Sequence, residues 1–254
     1  MAVIRNEIPI LEYDGEQRAV LMPDREKLYK FPEKAVFPFL ADEVDKFALS
    51  HGGKIEGEFL SATKTFPIYT VNYMGEEIVL CQAPVGAAAS AQILDFLIGY
   101  GCRKIISSGS CGALCDIPEN EFLIPTMALR CEGTSYHYLP PSRWIRANSS
   151  AITAIEKALE KNGYKYSHCK TWTTDGFFRE TRDMVKLRKE EGCSVVEMEC
   201  SALMACAQFR GAVFGQLLFT ADTLADVENH DNREWGISSF PVALKLCFDA
   251  VLEL

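Results

Sequence analysis

Short apolar runs of strand length alternate with longer segments of helical spacing along this chain, from one end to the other. Residues 18–22 read as a short buried strand. Segment 39–50 carries Leu40, Val44, Phe47 and Ala48 at helical spacing and stops before Gly52 and Gly53, where a chain readily leaves a helix. Segments 55–62, 66–73 and 77–83 are strand-like, the last two joined by a turn at Met74 and Gly75. A helix over 90–100 ends at Gly101, and the buried strand 104–108 runs into Gly109, Ser110, Cys111 and Gly112. Strand 121–130 leads to an irregular aromatic stretch, 132–138. Helix 148–161 is closed by Gly163, and strand 170–174 opens into Asp175, Gly176, Phe177, Phe178 and Arg179. Helix 182–191, strand 194–196, helix 199–209, strand 212–220 and a last helix near 238–252 complete the order. Such alternation predicts an α/β layer architecture.

Composition narrows the setting. With 254 residues, 48% of them hydrophobic, the chain can bury one sizeable core and is expected to be a single domain over 1–254. No apolar run approaches the ~20 residues of a membrane span. Glu7, Glu12, Asp14 and Glu16 interrupt the N-terminal segment, which does not read as a signal peptide. A cytoplasmic protein is expected. The net charge of −9 disfavours non-specific nucleic-acid binding. Of ten cysteines, Cys81, Cys206 and Cys247 sit inside apolar runs, as reduced thiols used as small hydrophobes do. Cys111 and Cys115 lack a second pair at zinc-site spacing, so no metal site is expected.

Candidate chemistry lies at strand ends, where α/β folds place ligands. Dinucleotide, Walker, nucleophile-elbow and zincin signatures are all missing. Gly109, Ser110, Cys111 and Gly112 after a buried strand suit a nest of backbone N–H groups around an oxyanion, or an ordinary tight turn. Glu197 and Glu199 follow the buried Val195 and Val196. Glu199 shares a helical face with Ala202, Leu203 and Cys206 and is expected to point inward, where ribose hydroxyls would satisfy it. The plainer alternative is that both glutamates favour a helix N-terminus. Asp222 ends an apolar strand and is either a proton donor with a raised pKa or a cap. Phe177 and Phe178 offer a flat face to a base beside Arg179, though paired phenylalanines also build cores; His137, between Tyr136 and Tyr138, suits a structural role.

Taken in order, these segments resemble the family of purine nucleoside phosphorylase, uridine phosphorylase and methylthioadenosine nucleosidase, from about Ala19 to the C-terminal helix. VVEMECSAL (195–203) is similar to the family's ribose-binding signature and SGSCGAL (108–114) to its phosphate loop. VLMPD (20–24) resembles its first strand, FTAD (219–222) the strand of its catalytic aspartate, and RCEGTSYHY (130–138) a segment of uridine-phosphorylase-like members. The resemblance implies a three-layer αβα domain with a mixed central sheet, assembling as a homo-oligomer, a dimer or a hexamer. It implies Glu199 on the ribose hydroxyls with Glu197 beside it, Met198 against the sugar, and Phe177 on the base; Arg179, on the aromatic loop itself, is placed by the residue pattern to reach the base's polar edge. Asp222 would protonate or hydrogen-bond a purine, and Ser110 with Gly109 would hold phosphate.

The phosphate half departs from the pattern. Ser107 stands where many members have arginine, Arg25 is the stand-in for a first-strand arginine, and Lys64 corresponds to an arginine lent by a neighbouring subunit. Lysine supplies a point charge without the bidentate fork. Phosphorolysis of ribonucleosides, with phosphate as co-substrate and no metal or organic cofactor, is the expected activity, purine slightly ahead of uridine. A hydrolytic nucleosidase and a non-catalytic nucleoside-binding or storage protein are the alternatives.

Overall fold

The computed structural model describes residues 3–254. Its strands are β1 (Lys34–Val36), β2 (Lys54–Leu60), β3 (Thr65–Tyr73), β4 (Glu76–Cys81), β5 (Lys104–Ala113), β6 (Phe122–Cys131), β7 (Trp144–Arg146), β8 (Tyr166–Thr174), β9 (Val195–Glu197) and β10 (Val213–Thr223). Its helices are α1 (Glu43–Ser50), α2 (Ala87–Gly99), α3 (Ser149–Lys161), α4 (Arg182–Glu190), α5 (Cys200–Phe209) and α6 (Phe240–Leu252). All ten strands belong to one mixed sheet, as expected. β10 pairs in parallel with β5 and antiparallel with β6, so β5, β10, β6, β8 and β9 close into a ring, from which β1, β4, β3 and β2 extend.

Alternation along the central strands explains the layers. Ala35, Val79 and Ile105 face the core beneath α2 and α5, whereas Val36, Leu80 and Ile106 face that beneath α1, α3 and α6. Asn148 starts α3 by accepting the N–H of Ser150 at 2.9 Å. The Met74 and Gly75 turn has φ of 51° and 90°, the geometry of a tight hairpin. At Gly215 on β10 a Cβ would meet the Cβ of Ala151 at 2.7 Å, so α3 lies directly on this strand.

Four local expectations are corrected. Residues 18–22 form no strand; Val20 and Leu21 are exposed, and the segment is strapped down by Arg210, whose guanidinium donates to the Gln17 carbonyl at 2.7 Å. The first strand is β1, three residues long and soon ended by Pro38. β7 was not expected. β5 does not turn at Gly109 but runs through it to Ala113, paired with β10, so the segment Gly109, Ser110, Cys111 and Gly112 is strand and not a nest. Finally, α5 starts at Cys200, leaving Glu199 as its N-cap.

Arg233–Leu252 is apolar enough and, taken as one helix, long enough to cross a membrane. It is not one straight helix. Glu234, Trp235 and Gly236 have positive φ, and in α6 itself Leu244, Cys247 and Phe248 are fully buried in the core.

Candidate active site

A cavity of about 490 Å³ opens over the C-terminal ends of β5, β9 and β10. Four acidic side chains line it, Glu180, Glu197, Glu199 and Asp222, and no Lys, Arg or His does so among the described residues.

Glu197 is a scaffold. Its Oε1 accepts from the hydroxyls of Thr171 (3.0 Å) and Thr173 (2.6 Å), and its Oε2 from the backbone N–H groups of Glu199 (2.7 Å) and Cys200 (2.6 Å). Those two amides open α5, so this carboxylate caps the helix, as the plainer alternative held. Burial pushes its pKa up, against the pull of its donors. Glu199 differs. Its Oε1 accepts the Gly86 N–H at 2.6 Å, and its second oxygen has no protein partner among the described residues. Burial, followed by the charge of Glu197, pushes its carboxyl up to about 8. The inward orientation expected of it holds, but its cause is the cap position and not a helical face. Met198 lines the cavity between them.

At the opposite end Asp222 is 8% exposed and its Oδ2 lies 3.0 Å from His230 Nε2. The β5–β10 ladder is regular to Thr220 and resumes at Thr223, with one extra residue on β10. That bulge turns Asp222 toward the cavity. Phe177 and Trp235 form an aromatic edge there, ring centroids 6.1 Å apart. Trp235 sits in a left-handed turn with φ of 57°, a conformation costing about 1–2 kcal/mol in a non-glycine residue. On the floor, Gln216 is 3% exposed and its Oε1 has no protein partner; Ser107, its neighbour across the ladder, is likewise without one.

Residues 34–251 match the family described as the phosphorylase superfamily. The chain belongs to that superfamily. It is 23% identical over 163 residues to guanosine phosphorylase from Halorubrum lacusprofundi, covering 64% of this chain and 68% of the relative. The AMP nucleosidase from Bacteroides thetaiotaomicron superposes with a TM-score of 0.72 at 25% identity, covering 87% of this chain and 88% of that one. Uridine phosphorylase from Vibrio fischeri shares the fold, with a TM-score of 0.76 at 19% identity, covering 92% and 95%. The chain is thus a glycosyl-transferring enzyme of a superfamily whose relatives are named both as phosphorylases and as nucleosidases.

The residues expected to hold phosphate lie in different places in this chain. Arg25 precedes β1, pairs with Glu26 at 3.3 Å and borders a different cavity, of about 570 Å³. Lys64 sits in the β2–β3 turn over the ring of Phe66 at 5.1 Å, away from the site of its own chain. Gly109 and Ser110 do line the cavity, but the Phe39 side chain comes within 3.3 Å of where a Gly109 Cβ would stand. Arg179 is exposed and outside the lining, and Phe178, 92% exposed, borders a neighbouring cavity. Sequence reasoning missed Glu180, Gln216 and Trp235. Glu180 follows directly on the aromatic loop and was the legible one; Gln216 lies within an apolar strand, and only the left-handed turn brings Trp235 in.

Proposed function

We propose that this chain is a nucleosidase, hydrolysing the N-glycosidic bond of a nucleoside to free base and ribose, with purines favoured over uridine. One observation carries the reading: among the described residues the cavity is lined by four carboxyl groups and by no cation. A phosphate dianion brought to roughly 6 Å from one carboxylate is opposed by about 3 kcal/mol per unit charge at an effective dielectric of ~20. A carboxylate that is ionised also favours the cationic, oxocarbenium-like sugar of the transition state, and water needs no anion clamp. It also argues for a nucleoside over a nucleotide.

In this reading the free oxygen of Glu199 accepts the ribose hydroxyls and Met198 lies against the sugar. Phe177 and Trp235 hold the base, with Asp222 at its imidazole side. No metal or organic cofactor enters the reaction. A storage role is disfavoured, since it needs neither Glu199 nor Asp222. Phosphorolysis is the second reading, favoured by Gly109 and Ser110 on the cavity wall and by the likeness to guanosine phosphorylase. It requires a cation from another subunit, for which Lys64 remains the candidate. We expect a homo-oligomer, dimer or hexamer, supported by exposed Leu21, Leu28 and Leu60 around one groove, and a cytoplasmic setting, suited to ten free cysteines.

The test is turnover of inosine, adenosine, guanosine and uridine in phosphate-free buffer and after phosphate addition. A rate unchanged by phosphate supports hydrolysis. Turnover that appears only with phosphate overturns it in favour of phosphorolysis.

A further inference from the structure

Glu180 stands at the base end of the cavity with no task in the reaction. It borders both the main cavity and the neighbouring one, and shares both with Phe177, Asp222 and Trp235. Among the described residues its carboxyl group has no hydrogen-bond or ion-pair partner, in a molecule where Glu132, Glu197 and Glu199 are each engaged by protein donors. Asp222 is engaged as well, through His230 at 3.0 Å. The other charged groups around Glu180 are Asp226 and Arg182, and Arg182 is turned to Glu228 at 2.6 Å. The neighbouring Arg179 is exposed.

We propose that Glu180 is the proton donor to the departing base, and that Asp222, held by His230, is its charged neighbour and not the acid. The inference rests on the nucleosidase reading of this cavity. Two carboxyl groups facing one site do not ionise together readily, so one keeps its proton. His230 Nε2, 3.0 Å from Asp222 Oδ2, occupies that carboxyl group, whereas no protein group engages Glu180 among the described residues. Burial, and then the charge of Asp222, push Glu180 up to about 7, near the pH at which a general acid works best.

The step balances with water as the only co-reactant. As the C1′–N bond breaks, its electron pair moves onto the base, and the Glu180 O–H proton passes to a base ring nitrogen. Water adds to C1′ and releases a proton to solvent, from which Glu180 is reprotonated. The substrate class follows. The enzyme should favour nucleosides whose base leaves poorly without a proton, above all purines, and Glu180 should be idle toward a group that leaves unaided.

Wild-type protein and Glu180→Gln are compared on inosine and on 4-nitrophenyl β-D-ribofuranoside, whose nitrophenolate needs no proton. The variant is expected to lose on the order of a hundredfold in kcat/KM on inosine and to stay within about threefold on the nitrophenyl riboside. Activity on the second substrate also certifies its fold. On inosine the wild-type rate should fall as pH rises through about 7, and the variant should lack that limb. Equal losses on both substrates, or no loss on either, would overturn the donor role. Wild-type protein that cleaves only the nitrophenyl riboside would overturn it too. Wild-type protein that cleaves neither would instead overturn the nucleosidase reading.

Discussion

Replacing Glu199 by Gln separates the stability of the fold from its chemistry. The residue is 6% exposed, and burial, then the charge of Glu197, push its carboxyl up to about 8. A carboxyl whose pKa is higher folded than unfolded contributes stability that is whole below the unfolded value and is lost as pH rises through the folded one. Here the window runs from the ordinary carboxylate range to about pH 8. At about 1.4 kcal/mol per pKa unit, moving from pH 5 to pH 8 removes about 3 kcal/mol from the wild type. Gln keeps an acceptor for the Gly86 N–H and carries no charge, so it escapes that loss. Each kcal/mol moves Tm by about 2–4 °C in a chain of this size. Thermal melts followed by circular dichroism should therefore nearly coincide at pH 5 and separate by roughly 6–12 °C at pH 8, the variant being the more stable. The same variant should lose most ribonucleoside turnover at and above about pH 8, where the wild-type group is ionised and an amide gives no comparable anionic support to the sugar cation. A gap in Tm that stays constant with pH, or that closes in favour of the wild type, would refute the buried ionisation of Glu199.

Glu197→Ala leaves two buried amides and two threonine hydroxyls without their acceptor, and should lower stability by about 3–5 kcal/mol in a denaturant titration. Asp222→Asn removes the charge that helps keep the proton on Glu180, so the alkaline limb of kcat/KM on inosine should move to lower pH; an upward move would contradict the pairing. Gly215→Ala would place a methyl group 2.7 Å from the Ala151 Cβ and should cost about 1–3 kcal/mol in unfolding free energy, with no direct effect on the cavity.

Where local patterning decides structure, the chain could be read directly. The capped, amphipathic α3 with Gly163 beyond it, the Met74 and Gly75 hairpin and the buried start of β5 follow from spacing and turn chemistry alone. Residues 18–22 misled because an apolar run becomes a strand only if a sheet edge is there to pair with it. β1 escaped notice because three residues carry too little periodicity. The acidic pair was legible as a site but not in its division of labour. Helical phase placed Glu199 within α5, whereas Glu197, held by Thr171 and Thr173 on another strand, takes the first amides of that helix and sets its start. The partner that leaves Glu199 one free oxygen, Gly86, is 113 residues away. Only the folded chain shows such a pairing, and only there is it seen that no cation lines the cavity among the described residues.

That acidic, cation-free wall is the centre of the account, and the identity of the sugar product tests it most directly. Purified protein turning over inosine in buffer containing inorganic phosphate can be followed by phosphorus NMR, with free ribose assayed in parallel. The predicted result is ribose accumulating in step with hypoxanthine and a phosphate signal that never changes. Ribose 1-phosphate appearing in step with the base would contradict it, and would mean that a cation from outside this chain completes the site.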